Sequence, residues 1–387
     1  MKRLLQKFSS FLLRLHQYLD RRYNKISSSL PALYEPRSSE GKTKVVHVNG
    51  NFVVGGSSQL IADIIAKTAG NYHHRVIVPA HPHPLPYEGV PVYCFSLGEM
   101  TALFDYLEKE RPALVHIHYW VRHIHRFADF ALWYQAVFRI CEELQLKVIQ
   151  NINVPTHPYP SPAVAHNVFV SKYVRDEFNN SGVGSSVIHP GSDLVHFKND
   201  AVDPDPGSTI GMVYRLDRDK LNAGAIDVFI AAVKKNPVIK CYIIGDGYYF
   251  KEYKKRVKEE GLEANFVFTG NISYEQLPEY YKKIAVFVTP VHDESFGQVT
   301  PFAMGMGIPV AGYDTGALPE ILGSKETLVS YGNADALSDL LVELLSDPAR
   351  RTALGKRNRE RAHAYFSVEQ MINAYEKLYT AHTAEKA

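Results

Sequence analysis

At 387 residues the chain is long for one domain and comfortable for two, each with enough residues to bury its own core. Apolar residues make up 45% and charged residues 22%, an ordinary globular balance, and a net charge of +2 gives no global field that would argue for nucleic acid. Cys94, Cys141 and Cys241 are odd in number and lie in apolar contexts, which reads as reduced, buried thiols rather than a disulfide or metal framework. No run of eighteen apolar residues exists to span a bilayer.

Residues 1–40 differ from the rest. MKRLLQKFSSFLLRLHQYLDRRYNK places Leu4, Leu5, Phe8, Phe11, Leu12, Leu15 and Leu19 at helical spacing, with Lys2, Arg3, Lys7, Arg14, Arg21, Arg22 and Lys25 between them. Basic residues interrupt the apolar run and no small-residue cleavage site follows, unlike a signal peptide. Such a helix suits an anionic membrane surface, contacted through residues 1–25, or equally a packing face on the protein itself or on a partner. SSSLPALYEPRSSEGK then reads as a linker.

From residue 41 the pattern is α/β. TKVVHVNG predicts a strand, GGSSQLIADIIAKTAG a helix, HHRVIVPA and VPVYCFS strands, and MTALFDYLEKERP a helix. ALVHIHYW is a strand, HRFADFALWYQAVFRICEELQ a long helix, KVIQNINV a strand, and HNVFVSKYVRDEF a strand running into a helix. FKNDAVDPDPGS is a polar, proline-bearing linker, and the alternation restarts beyond it, from STIGMVYRL to AVFVTPV. This predicts two doubly wound parallel-sheet domains: residues 41–200 and 201–365, with residues 366–387 a final helix.

The chemistry-bearing residues cluster where predicted strands end. Gly55 and Gly56, between the first strand and its helix, allow backbone N–H groups to approach an anion, though a plain tight turn explains them as well. Arg215 directly follows a strand and Lys220 comes five residues later, ahead of a helix. Two cations there suit a diphosphate; the alternative is a solvated basic loop paired with Asp217 and Asp219. Gly245, in IIGDG, permits a close backbone turn. Glu294 follows the strand AVFVTPV, and Ser295, Phe296 and Gly297 form a turn into the next helix. A carboxylate beside phosphates suits neutral hydroxyl donors, such as those of a sugar; a surface side chain or a helix N-cap is the alternative. No G-x-G-x-x-G with a later acidic ribose ligand follows a strand, which disfavours an NAD-dependent oxidoreductase.

Taken in order, GMVYRLDRDKLNAG, YIIGDG, FTGNISYEQLPEYY, TPVHDESFGQVTPFAMGMGIPV, GALPEIL, FVSKYVRDEF and VIHPGSDLVHF resemble the retaining GT-B glycosyltransferases of the family 4 type, over about residues 42 to 380. The resemblance implies two Rossmann-like domains facing across a cleft, the donor mainly on the second domain, the acceptor on the first, and a last helix crossing back to the first. It assigns Arg215 and Lys220 to the donor diphosphate and Glu294, first glutamate of an E-x7-E motif, to the transferred sugar. Ser295, Phe296, Gly297, Gln298, Gly245, Gly55 and Gly56 fall on the donor side.

Two positions depart from that pattern. The second motif glutamate, a ribose ligand in the family, is replaced by Phe302, which cannot accept a hydrogen bond but stays among the donor-side residues, its ring expected to face the ribose. The family's histidine near the donor sugar is replaced by Asn153, with His157 four residues on. His116 and His118 lie at a predicted strand end, and His118 is a candidate for the acceptor side together with Asn153 and His157; structural burial is the alternative for the two strand histidines, and a plain loop position for His157.

The expectation is a hexosyltransferase using a nucleotide-sugar donor and a saccharide or lipid-linked hydroxyl acceptor, with retention of configuration and no metal or other cofactor. It would be cytoplasmic, at the inner face of a membrane if the extension binds one. A GT-B-fold binding or scaffold protein weakened by Phe302 is the alternative. Deleting residues 1–38 is expected to leave the catalytic fold intact and to reduce binding to anionic vesicles, with the salt dependence of clustered Lys and Arg. Vesicle co-sedimentation at two ionic strengths checks this; unchanged binding favours the packed-helix reading.

Overall fold

The computed structural model describes residues 41–384 apart from 54, 81–86, 88, 122–127 and 200–206, so the basic extension and its membrane contact lie outside the described residues. The chain divides into two compact units. One comprises residues up to 169, 178–187 and 374 onwards; the other comprises 170–177 and 188–373. The second unit thus takes in 188–199 and the short piece 170–177, which the sequence boundary at residue 201 left with the first.

In the first unit β1 (Thr43–Asn49), β2 (Tyr72–Val78), β3 (Val92–Cys94), β4 (Leu114–Tyr119), β5 (Val148–Ile152), β6 (Val164–Phe169) and β7 (Ser185–Val187) form a parallel sheet in the order β3-β2-β1-β4-β5-β6-β7. β4 and β5 are buried at every position, as expected of strands covered on both faces. Helices α1 (Gly56–Thr68), α2 (Met100–Glu110) and α3 (Ala128–Glu143) provide the cover. α3 lays Trp133, Val137, Phe138 and Cys141 on Val46, Val48, Val115 and Ile117. Strand alternation turns Val76 and Val78 to the other face, against Ile61 and Ile65 of α1.

That same alternation buries four histidines, His47, His74, His116 and His118. Thr68 Oγ1 donates to Ile64 O at 2.7 Å, so its one hydrogen is used and it accepts from His74 Nε2 at 2.7 Å. His74 Nδ1 then accepts from His47 Nε2 at 3.0 Å, and His47 Nδ1 accepts from His118 Nε2 at 3.2 Å. The helical Thr68 therefore fixes the tautomer of three imidazoles, each neutral and protonated on Nε2. His116 Nδ1 lies 2.6 Å from Tyr379 OH.

Ring nitrogens of His47, His116 and His118 fall within 4.8 Å of one another. The chain already engages both nitrogens of His47 and Nε2 of His118, and the cluster contains no carboxylate or thiolate among the described residues. A buried dication there would keep its full charge uncompensated.

In the second unit β8 (Thr209–Val213), β9 (Lys240–Ile244), β10 (Phe266–Gly270), β11 (Val286–Thr289), β12 (Val310–Tyr313) and β13 (Leu328–Val329) form a parallel sheet in the order β10-β9-β8-β11-β12-β13. Its helices are α4 (Lys172–Phe178, whose last residue belongs to the first unit), α5 (Asp227–Lys235), α6 (Phe250–Glu259), α7 (Leu277–Tyr281), α8 (Val299–Gly305), α9 (Leu318–Leu322), α10 (Ala334–Ser346) and α11 (Pro348–Tyr365). α12 (Val368–Thr383) is shared, passing to the first unit at residue 374.

α11 fastens three other helices by their C-terminal carbonyls. Arg351 Nη1 donates to Leu344 O at 3.0 Å and also to Leu345 O, at the end of α10. Arg359 Nη2 donates to Met306 O at 2.9 Å, just past α8. Arg361 donates from Nε to Ile321 O at 2.7 Å and from Nη2 to Glu320 O at 2.8 Å, in the last turn of α9. Each guanidinium binds carbonyls at the C-terminal end of a helix and opposes the negative end of the helix dipole. Cys141 and Cys241 are buried, Cys94 is half-buried, and all three are free thiols. Among the described residues no helix is long and apolar enough to cross a membrane.

The histidine chain makes the first unit acid-sensitive. Burial first, and neighbouring imidazoles second, hold His47, His116 and His118 well below the ordinary histidine value and bring His74 down to about 3. The unfolded chain protonates these rings as pH falls through about 6.5 and the folded one does not, so their contribution to stability is present above that pH and is lost on acidification. Each ring that stays neutral in the folded state is expected to cost about 1.5 kcal/mol between pH 6.5 and 5. Denaturant melts across this range check it; a flat profile contradicts the neutral chain.

Candidate active site

The strand order of the second sheet reverses between β8 and β11, and ligands of open α/β sheets bind outside the carboxyl ends of strands at such a point. The sequence candidates leave from these two strands. Arg215 follows β8 with its side chain 72% exposed, 2.7 Å from Asp219 and 3.7 Å from Asp217, so both aspartates weighed as its partners are in place. Lys220 donates from Nζ to Glu294 Oε1, and His292 N donates to Lys220 O at 3.0 Å, tying the loop after β8 to the loop after β11. Gly245 ends β9 and donates its N–H to Gly270 O at 3.0 Å.

Glu294 has no exposed surface. Its Oε1 meets Lys220, and its Oε2 is buried without a hydrogen-bond partner. The carboxylate expected to face a sugar is therefore enclosed. Two glycines close around it. Gly297 has φ +66° and a Cβ there would lie 2.3 Å from Glu294 Oε2; Gly316 has φ +54° and a Cβ would lie 2.3 Å from Glu294 O. Both conformation and space restrict these positions to glycine. Ser295 and Phe296 are buried. Gln298, just ahead of α8, donates from Nε2 to Gly191 O at 2.7 Å.

The first-unit candidates divide. Gly55 caps α1 and Gly56 opens it; both are exposed, and no side chain caps the first-turn N–H groups. The approach to them is built by Tyr134, whose OH donates to His118 O at 2.6 Å and accepts from Gly50 N at 2.7 Å. Asn153 Oδ1 accepts from Asn151 Nδ2, and Asn153 Nδ2 is buried without a partner, a donor still to be satisfied. His157 is exposed, with Nδ1 2.8 Å from Phe178 O. His118 is different from expectation: its ring is fully buried in the histidine chain and presents no surface to an acceptor.

Sequence reasoning assigned no role to Glu320, His189 or Tyr173, although each lies in a segment that carried the resemblance. Glu320 Oε1 accepts from His189 Nε2 at 2.7 Å and from Lys172 N at 3.0 Å, and its Oε2 accepts from Lys172 N at 2.8 Å and Tyr173 N at 3.2 Å. Burial alone would raise this carboxyl; the hydrogen bonds from His189 and the two backbone N–H groups outweigh it and hold it below the usual carboxylate value.

Residues 197–361 match the family model described as glycosyl transferases group 1. The matched segment resembles a group 1 glycosyltransferase domain and covers less than half of the chain. This domain, 197–361, lies within the second unit and contains Arg215, Lys220 and Glu294. The chain is 29% identical over 211 residues to a GDP-mannose-dependent α-(1-6)-phosphatidylinositol monomannoside mannosyltransferase of Mycolicibacterium smegmatis, covering 48% of this chain and 54% of that protein. It is 26% identical over 208 residues to the lipopolysaccharide core biosynthesis mannosyltransferase LpsB of Rhizobium meliloti, covering 51% and 58%. The chain thus spans little more than half the length of these curated relatives.

Among solved structures, HepE of Anabaena in complex with UDP and glucose superposes with a TM-score of 0.71 at 16% identity, over 88% of this chain and 100% of that one. Sucrose-phosphate synthase of Thermosynechococcus elongatus gives 0.71 at 20%, over 88% and 99%. The fold is that of GT-B glycosyltransferases.

Phe302 stands where the resemblance expects a second glutamate. Its ring stacks on Phe197 at 3.9 Å between centroids and 5° between planes, with Tyr274 at 6.1 Å edge-on, and it is 7% exposed. The ring that was expected to face a ribose is committed to this aromatic packing. Phe302→Glu is expected to bury an unpaired carboxylate against Phe197, lowering stability by about 3 kcal/mol or more without tightening nucleotide binding. Denaturation and calorimetry check this together; tighter binding at unchanged stability contradicts it.

Proposed function

We propose that the protein transfers a hexose-type sugar from a nucleotide sugar to a hydroxyl of a saccharide or lipid-linked acceptor, with retention of configuration. The observation that carries this reading is the placement, at the switch point of the second sheet, of two cations after β8, Lys220 paired with Glu294 after β11 and Arg215 with Asp219 on its own loop. Arg215 is exposed and free to turn from Asp219 to a diphosphate, and Lys220 stands between that diphosphate and Glu294. Gly245 and the 295–298 turn line the same end of the sheet.

In the reaction the bond from the sugar's anomeric carbon to the diphosphate oxygen breaks, with its electron pair going to the diphosphate. The acceptor oxygen bonds to the same carbon on the same face, and its proton passes to the departing diphosphate. Arg215 and Lys220 stabilise the charge that develops there, so no metal is required for that purpose. Glu294 Oε2, the carboxylate oxygen without a partner, accepts a sugar hydroxyl once the 295–297 turn shifts to admit it. In the first unit the exposed N-terminus of α1, assigned to the donor side, and Asn153 Nδ2, assigned to the acceptor or sugar side, offer donors. The names of the mannosyltransferase relatives support glycan or glycolipid synthesis as the setting.

Arg215→Ala and Lys220→Ala are each expected to lower kcat/KM by about 10²–10³-fold. The exposed Arg215 should leave stability within about 0.5 kcal/mol. Assay of UDP-, GDP- and ADP-sugars as donors checks the reading; near-native turnover by a folded Lys220→Ala protein removes that residue from the site.

A further inference from the structure

We propose that Glu320 is a positioning residue that sets Glu294 for the donor sugar, through His189 on one side and Tyr173 on the other. The inference rests on the glycosyl-transfer reading of Glu294. On the first side, the His189 ring held by Glu320 stacks on Phe296 at 5.4 Å and 24°, with Phe366 edge-on to both rings. Phe296 is two residues beyond Glu294. On the second side, Glu320 accepts both first backbone N–H groups of α4 and so fixes Tyr173, whose OH donates to Asp293 Oδ1 at 3.3 Å. Asp293 directly precedes Glu294.

A third connection runs along α9 itself. Ala317 N donates to Glu294 O at 2.8 Å, three residues before Glu320, and Arg361 anchors Glu320 O and Ile321 O. One carboxylate therefore governs the residues on both flanks of Glu294, while its own helix holds the Glu294 backbone. Arg215 leaves from β8 on its own loop and pairs there with Asp219 and Asp217, so its contact to a diphosphate does not run through Glu320.

The role requires a carboxylate. Glu320 receives N–H donors on both oxygens, and an amide can offer an acceptor on only one of its two arms. Glu320→Gln turns an NH₂ group against either the His189 N–H or the α4 N–H groups, releasing one flank while leaving the shape nearly unchanged.

The experiment first takes the best-binding pair from UDP-glucose, GDP-mannose and ADP-glucose and their diphosphates, using the full chain. In the wild type the nucleotide sugar and the diphosphate give a ratio of Kd values. Glu320→Gln is expected to lower kcat about tenfold or more and to weaken the nucleotide sugar relative to the diphosphate, whose own Kd stays within about twofold. His189→Phe, which keeps a ring on Phe296, and Tyr173→Phe, which removes only a hydroxyl, should each give part of the effect. Each should add less in the Glu320→Gln background than alone.

A Glu320→Gln protein with unchanged kcat and Kd ratio, whatever its melting temperature, overturns the proposal. Should that variant fail to fold, wild-type kcat and Kd ratio in both His189→Phe and Tyr173→Phe overturn it. Wild-type protein that binds none of the three pairs overturns the donor reading itself, and this inference with it.

Discussion

The second unit is organised by one buried ion pair. Glu294 has no exposed surface and, among the described residues, meets a cation at Lys220, 74 residues earlier in the chain. A carboxylate in that position is held at high desolvation cost, and removing its partner leaves an uncompensated charge. The geometry around it follows from that cost. Gly297 and Gly316 close on the carboxylate and its backbone where no side chain fits, and the loops after β8 and β11 are tied together at Lys220 and His292. Glu294 Oε2 is one of several buried polar atoms without a hydrogen-bond partner among the described residues, Tyr214 OH and Thr300 Oγ1 being others. Buried unsatisfied atoms are uncommon in folded proteins.

Rigidity around Glu294 comes from groups that carry no reaction chemistry. α11 is too polar to stand as an ordinary amphipathic helix, yet its arginines terminate α8, α9 and α10. Aromatic rings do similar work nearer the site. His189, Phe296 and Phe366 form one group, and Phe197, Phe302, Tyr274 and Tyr281 form another. The two groups flank α8 at its start and in its middle. The turn that bears Glu294 is thus held by packing on apolar faces and by charge at helix ends, two forces with different sensitivity to salt and temperature.

Much of this was legible in the sequence, for definite reasons. Parallel strands buried on both faces read as continuous apolar runs, so β1, β4, β5, β8, β9 and β11 were identifiable, and Arg215, Lys220 and Glu294 stood out because each follows such a run within a few residues. What periodicity does not carry was missed. β7 and β13 have three and two residues, too few for any pattern. His118 sits on a strand whose both faces are covered, and a linear pattern does not distinguish a residue at the rim from one within the layer. Phe302 was recognised as a departure, but its partner Phe197 lies 105 positions away, where no local spacing connects them. Glu320 was in view within GALPEIL, and its importance depends on donors from Lys172, Tyr173 and His189, three contacts that exist only after folding.

The division of the chain has a consequence for anyone exchanging parts between relatives. The polypeptide passes from one unit to the other at 169/170, 177/178, 187/188 and 373/374, so the two are interleaved rather than consecutive. A contiguous cassette beginning at residue 188 would contain Arg215, Lys220, Glu294 and Glu320 but lack the eight-residue piece 170–177. Glu320 would then keep His189 and lose the two amide donors of Lys172 and Tyr173, and Asp293 would lose the Tyr173 hydroxyl. A chimera of this fold that transplants the donor-side sequence as one block therefore inherits the ligands and not their setting. Recombination that carries residues 170–177 along with the block keeps both.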